Sequence, residues 1–127
     1  ALEVLAGAAL IAAEDTRVAR KLLSAYGLAA PRLIAYHDHN AAAQEGAVLE
    51  ALAQGQAVAL ISDAGTPLVS DPGARLVAAA ITAGHSVIPA PGACAAIAAL
   101  SVAGLPSEAF LFAGFAPPKS GARRAFF

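Results

Sequence analysis

The chain contains no methionine and a single cysteine, Cys94. One cysteine cannot build an internal disulfide framework, and it fits a reducing, cytoplasmic setting. Charge is also scarce. Eight Lys/Arg against nine Asp/Glu leave a formal net charge of −1, so no global basic field marks the whole chain for nucleic acid. The few basic residues do cluster toward the end, at Lys119, Arg123 and Arg124. No apolar run reaches the length of a membrane span without Gly, Pro or charge. Residues 93–103 are apolar but too short, and read as a buried helix. The opening residues show no signal-peptide pattern. Neither Gly-x-Gly-x-x-Gly nor the phosphate-loop Lys-Ser/Thr signature occurs, which weakens the dinucleotide and nucleoside-triphosphate readings.

What is present is a chain of 127 residues, 58% hydrophobic and rich in alanine. That is enough for one domain with a real core. Helical patterning already at residues 1–6, together with the missing methionine, leads us to expect that an N-terminal piece is absent. The two terminal apolar residues, Phe126 and Phe127, lead us to expect a part of something longer.

Strand and helix signals alternate. Residues 10–13, 32–36, 57–61, 86–88 and 110–115 read as strands. Residues 17–26, 41–54, 72–83 and 93–103 read as helices, with glycines at 27, 55, 84 and 104 just past their ends. Asp71 followed by Pro72 reads as an N-cap with proline in the first helical position. This alternation predicts an α/β fold, a mostly parallel sheet flanked by helices. The best boundary between domains is at residues 104–107. It places an α/β domain over residues 1–106 and the beginning of a second over 107–127.

Polar residues gather on one set of connections, those that follow the strands. Glu14, Asp15, Thr16 and Arg17 follow the first strand. His37, Asp38, His39 and Asn40 follow the second. Ser62, Asp63, Ala64, Gly65, Thr66 and Pro67 follow the third. Pro91, Gly92, Ala93, Cys94, Ala95 and Ala96 come after the fourth, and Lys119 after the fifth. The opposite connections are plain. Ligands of open parallel sheets bind outside the carboxyl ends of the strands, so the chain places its reactive groups on the ligand-binding edge.

Each motif has a plain alternative. Asp15 or Thr16 can cap the next helix, with Arg17 solvated. Four polar residues exceed what a cap needs, and Asp15 or Glu14 can bind a substrate hydroxyl or act as a base while Arg17 holds a phosphate. His37 and His39 are too few for a metal site, and no Cys/His cluster completes one. Asn40 reads as a helix cap, with one or two neighbours touching substrate. Gly65 admits a ligand close to the backbone, because it has no Cβ. Cys94 has no partnered base, so it reads as a small pocket-lining residue and not as a nucleophile.

Taken together and in order, the Glu14–Arg17 block, Tyr36-His37-Asp38-His39-Asn40, the Ser62–Pro67 block and Pro91-Gly92-Ala93-Cys94-Ala95-Ala96 resemble one family. It is the bacterial small-subunit rRNA cytidine 2′-O-methyltransferases of the tetrapyrrole-methylase superfamily. The resemblance runs from Glu3 to Arg124. It implies two α/β domains with S-adenosylmethionine in the cleft between them, a homodimer, and methyl transfer to a ribose 2′-OH of 16S rRNA. It implies that Ser62, Asp63, Ala64, Gly65, Thr66, Pro67, Cys94 and Ala95 line the cofactor. The edge position adds Asp15, Glu14 and His37 as catalytic candidates, with Arg17, Asp38, Asn40 and Lys119 toward the RNA and no metal. The other readings are a tetrapyrrole C-methyltransferase, against which the Glu14–Arg17 block argues, and a non-catalytic nucleotide- or cofactor-binding module.

Overall fold

The computed structural model of the protein describes every residue except Asp38. The chain divides into two compact units, Ala1–Ala93 and Cys94–Phe127.

The first unit is built around a parallel sheet. Its elements are α1 (Leu2–Gly7), β1 (Leu10–Ala13), α2 (Thr16–Ala25), β2 (Arg32–Ala35), α3 (Ala41–Ala53), β3 (Val58–Ile61) and α4 (Ala74–Thr82). The strand order is β2-β1-β3. Leu10 lies opposite Arg32 and Val58, and Ala13 opposite Ala35 and Ile61.

β1 is buried along its whole length, at 0–1% exposure. A parallel strand covered on both faces reads as an unbroken apolar run, and the sequence here is Leu-Ile-Ala-Ala. Successive side chains alternate between the faces. Ile11 and Ala13 pack with Leu5 and Ala8 and with Ala19 and Leu23 of α2. Leu10 and Ala12 pack with Tyr36, with Val48 and Ala51 of α3, and with Leu76 of α4. Helices therefore cover both faces, giving the α/β fold and parallel sheet expected from the sequence. An ion pair from Arg75 Nε to Glu45 Oε2 (2.8 Å) joins α4 to α3 at the surface.

The second unit holds α5 (Ala95–Val102) and α6 (Ser120–Phe126). The sequence reading did not include α6.

Three expectations need correction. Residues 86–88 form no strand. A cavity of about 470 Å³ lies along β3, lined by Val58, Ala59, Leu60 and Ile61 on one side and by residues 86–90 on another. Contact with four successive β3 residues means that it follows the strand's outer edge, and residues 86–88 stand across it without a ladder. Residues 110–115 form no strand either, because their unit has no other strand, among the described residues, to pair with. Finally, Asp71-Pro72 does not begin the helix. Gly73 is the N-cap of α4, at φ 128°, ψ −16°. That backbone lies outside the helical region, so the helix starts only at Ala74.

Candidate functional site

The three parallel strands deliver their following loops to one edge. The register aligns Ala13 with Ala35 and Ile61, so the chain leaves the sheet in three neighbouring places.

The loops after β1 and β3 are tied directly. The Asp15 main-chain N–H donates to Asp63 Oδ1 across 3.3 Å. The Asp15 side chain turns the other way, into its own helix. As N-cap of α2, its Oδ1 accepts the main-chain N–H of Arg17 at 2.7 Å, which satisfies one of the helix's orphan donors. The Arg17 guanidinium then folds back onto the same carboxylate. Nε lies 3.1 Å from both oxygens, and Nη2 donates to Oδ2 at 2.6 Å. These side-chain and main-chain bonds from Arg17 hold the Asp15 carboxyl at about 2, below its usual range, and the pairing raises the guanidinium's own pKa. The pair is lopsided in exposure: Arg17 84%, Asp15 27%. Glu14 is half-buried beside it.

The loop after β2 is held by Asn40. Its Oδ1 accepts the main-chain N–H of His37, and its Nδ2 donates to the Ala35 carbonyl, both at 2.9 Å. Asn40 is the N-cap residue of α3, but it makes no side-chain cap bond there. It fastens the end of β2 instead. The His37 and His39 rings meet edge to face at 6.0 Å. His37 Nδ1 is buried with no hydrogen-bond partner among the described residues. Asp38, expected to face substrate, lies outside the described residues. Among the described residues no three His, Cys, Asp or Glu groups converge as a metal site would require.

The loop after β3 holds its backbone in unusual conformations. Gly65 has φ 76°, Leu68 φ 72°, Ser70 φ 57° and Gly73 φ 128°. Non-glycine residues in the left-handed region cost about 1–2 kcal/mol each, and such strain collects at functional sites. Sequence reasoning missed Leu68 and Ser70, because neither side chain announces a positive φ. The Ser62 hydroxyl donates to the Ala64 carbonyl at 3.1 Å. Ala64, Gly65 and Thr66 are exposed, and Pro67 is half-buried. Apart from its two chain neighbours, no described residue comes within 4 Å of a Cβ placed on Gly65. Thr66, Pro67 and Leu68 reach the cavity beside β3.

The structure thus brings together Asp15, Arg17 and Asp63, with Glu14, His37, Asn40 and the rest of residues 62–67 on the same edge. Cys94, Ala95 and Lys119 belong to the second unit. Cys94 is exposed and precedes α5 as its N-cap, and Lys119 does the same for α6.

This is the arrangement of an open parallel α/β domain, the class that binds small ligands outside the carboxyl ends of its strands. Over residues 1–125 the sequence matches the family described as Tetrapyrrole (Corrin/Porphyrin) Methylases, and the chain belongs to that family. It is 59% identical over 123 residues to a Mesorhizobium japonicum protein named Ribosomal RNA small subunit methyltransferase I, covering 97% of this chain and 42% of that protein. Proteins of the same name from Pseudomonas aeruginosa and Escherichia coli O157:H7 are 53% and 55% identical. They cover 98% of this chain and 44% and 43% of their own lengths. The chain therefore spans less than half the length of these curated relatives. No helix among the described residues is long and apolar enough to cross a membrane.

Proposed function

We propose that the protein containing this chain transfers a methyl group from S-adenosylmethionine to a ribose 2′-OH of a cytidine in 16S rRNA. The observation that carries the reading is the 59% identity, across 97% of the chain, to a protein named as a small-subunit rRNA methyltransferase. It acts in the cytoplasm, on the small ribosomal subunit, as a homodimer. Residues 1–106 serve as its cofactor-binding domain, and 107–127 begin a second α/β domain.

The loop after β3 suits the cofactor. Open space beside Gly65 leaves the backbone approachable. Ser62 and Asp63 offer a hydroxyl and a carboxylate, and the backbone of Ala64, Gly65 and Thr66 offers amides. Pro67 supplies small apolar surface, and the family likeness adds Cys94 and Ala95 of the second unit as further cofactor candidates. When bound, S-adenosylmethionine supplies an electrophilic methyl on a sulfonium. The work of the chain is to orient the acceptor hydroxyl in line with that methyl, so positioning is the largest contribution. A ribose hydroxyl is a weak nucleophile, and a base at this edge assists. Glu14 and His37 are the candidate bases whose carboxylate or imidazole is in no ion pair among the described residues. Arg17 and Asn40 are the RNA-binding candidates of the first unit and Lys119 that of the second, and Asp38 joins them on residue type alone.

The family's own description keeps a second reading in play, methylation of a tetrapyrrole carbon. Incubating the full-length protein with radiolabelled S-adenosylmethionine and either unmodified small subunits or a uroporphyrinogen-type substrate separates the two. Label in the rRNA ribose supports the proposal. Label in the macrocycle alone replaces it with the second reading. Cofactor binding with no transfer to either favours a non-catalytic module.

A further inference from the structure

Resting on that functional reading, we propose that Asp15 is a positioning residue. Asp15, whose main chain is tied to the loop after β3 through Asp63, uses its carboxylate to orient Arg17 to hold a backbone phosphate of the RNA, and that carboxylate does not take the proton of the ribose hydroxyl.

Three observations carry this. The first is occupancy. A carboxylate offers about four lone-pair positions. Asp15 Oδ1 accepts from the main-chain N–H and Nε of Arg17, and Oδ2 accepts from Nε and Nη2. Both oxygens are engaged, and a base needs one turned toward its substrate. The depressed pKa of about 2 agrees, because such a carboxylate holds a proton poorly.

The second is rigidity. The Asp15 main chain is tied to Asp63 across the sheet edge, and its side chain is tied into the first turn of α2. A guanidinium anchored on such a residue loses much of the freedom of a long side chain, which lowers the ordering cost of binding.

The third is geometry. Asp15 engages the guanidinium through Nε and Nη2, which leaves the Nη1 donors on a side chain that is 84% exposed. Arginine suits planar, multi-donor recognition of phosphate. Glu14 and Asp63 add negative charge nearby, so the partner must be reached by directed hydrogen bonds and not by a broad positive field.

The test uses the full-length protein, unmodified small subunits and four forms: wild type, Asp15→Asn, Arg17→Gln and the double variant. Asparagine caps a helix about as well as aspartate, so Asp15→Asn preserves α2, and a melting curve verifies it. Loss of a charge-assisted phosphate contact raises KM for subunits about tenfold in Arg17→Gln, and by a similar factor in Asp15→Asn. The double variant is no worse than Arg17→Gln alone, since the two residues act through one contact. The dependence of log KM on log salt flattens by roughly 0.7–0.9 in Arg17→Gln. In Asp15→Asn, kcat falls by less than about tenfold, whereas loss of a general base costs about 10²–10⁴. An Asp15→Asn variant with KM unchanged and kcat down a hundredfold overturns the assignment. So does an Arg17→Gln variant with unchanged KM and salt slope, or penalties that multiply in the double variant. If a raised KM comes without a change in salt slope, Arg17 contacts ribose or base and the phosphate assignment fails. A wild-type protein that labels no rRNA brings down the functional reading and this assignment together. An active wild type with the wrong variant pattern brings down this assignment alone.

Discussion

A Cβ placed on Gly73 would stand 2.6 Å from Leu60 Cδ2 and 3.1 Å from Leu68 Cδ1. Gly73 therefore lets the start of α4 lie directly against β3 and the strained loop, in a backbone conformation with φ 128° that other residues rarely adopt. Gly73→Ala adds the clash to the conformational penalty. The leucine methyls can shift, so the conformational penalty dominates, and the expected loss is about 1–3 kcal/mol of stability, read as a lower urea midpoint with an unchanged slope.

Asn40→Ala breaks two 2.9 Å bonds at once and leaves the His37 N–H and the Ala35 carbonyl without that side chain. For a partly buried pair we expect about 1–3 kcal/mol of destabilisation. The sharper readout is local. The His37 amide exchanges faster than in the wild type by more than the loss of global stability explains, while amides of β1 speed up only by the factor that the global destabilisation sets.

The Asp15 carboxyl titrates at about 2, against an ordinary 3.8. A depressed folded-state value means that the ionised form favours the native state. Its contribution is complete above about pH 5 and is lost as the pH falls toward 2. The residue sits at an accessible edge, so the effect is modest. Asp15→Asn should reduce the fall in melting temperature between pH 5 and pH 2 relative to wild type. Identical profiles for the two proteins would show that the Arg17 pair does not bias folding.

Gly65→Val places a β-branched residue at φ 76° and puts methyl groups into the space now open beside the backbone. If this loop lines the cofactor, S-adenosylmethionine affinity drops about tenfold or more, because the valine loop relaxes from the left-handed conformation that binding restores, at about 1–2 kcal/mol, and its methyl groups occupy space the ligand needs. Titration calorimetry on the full-length protein measures it, and unchanged affinity would remove the loop from the site.

Much of the first unit was legible in the sequence for a simple reason. β1 and β3 are short apolar runs bounded by turn residues, and a strand buried on both faces leaves that signature. The helices of this unit and α5 came within two residues of their observed bounds because caps and glycines mark their ends. Residues 86–88 carry the same local signal as β3, yet pairing is a property of the neighbouring edge and cannot be read from Ser-Val-Ile. The edge that gathers Asp15, His37 and Ser62–Pro67 followed from connectivity alone. How Asp15 spends its oxygens did not, because an N-cap, an ion-pair partner and a base share one residue type. The left-handed Leu68 and Ser70 were hidden for the same reason that they are strained: neither is a residue type that favours a positive φ.

The uncovered side of β3 bears on how any association state would be interpreted. Among the described residues no strand pairs with its outer edge, which runs beside an apolar trough lined by Val58, Leu60, Val77 and Val87. A parallel edge of this kind recruits whatever extended backbone it meets. A light-scattering or sedimentation experiment on these 127 residues alone would report that recruitment, growing with concentration and blunted by a charge such as Val58→Lys. A dimer seen in such a sample would report this edge and would be no test of the proposed homodimer, which is measured on the full-length protein.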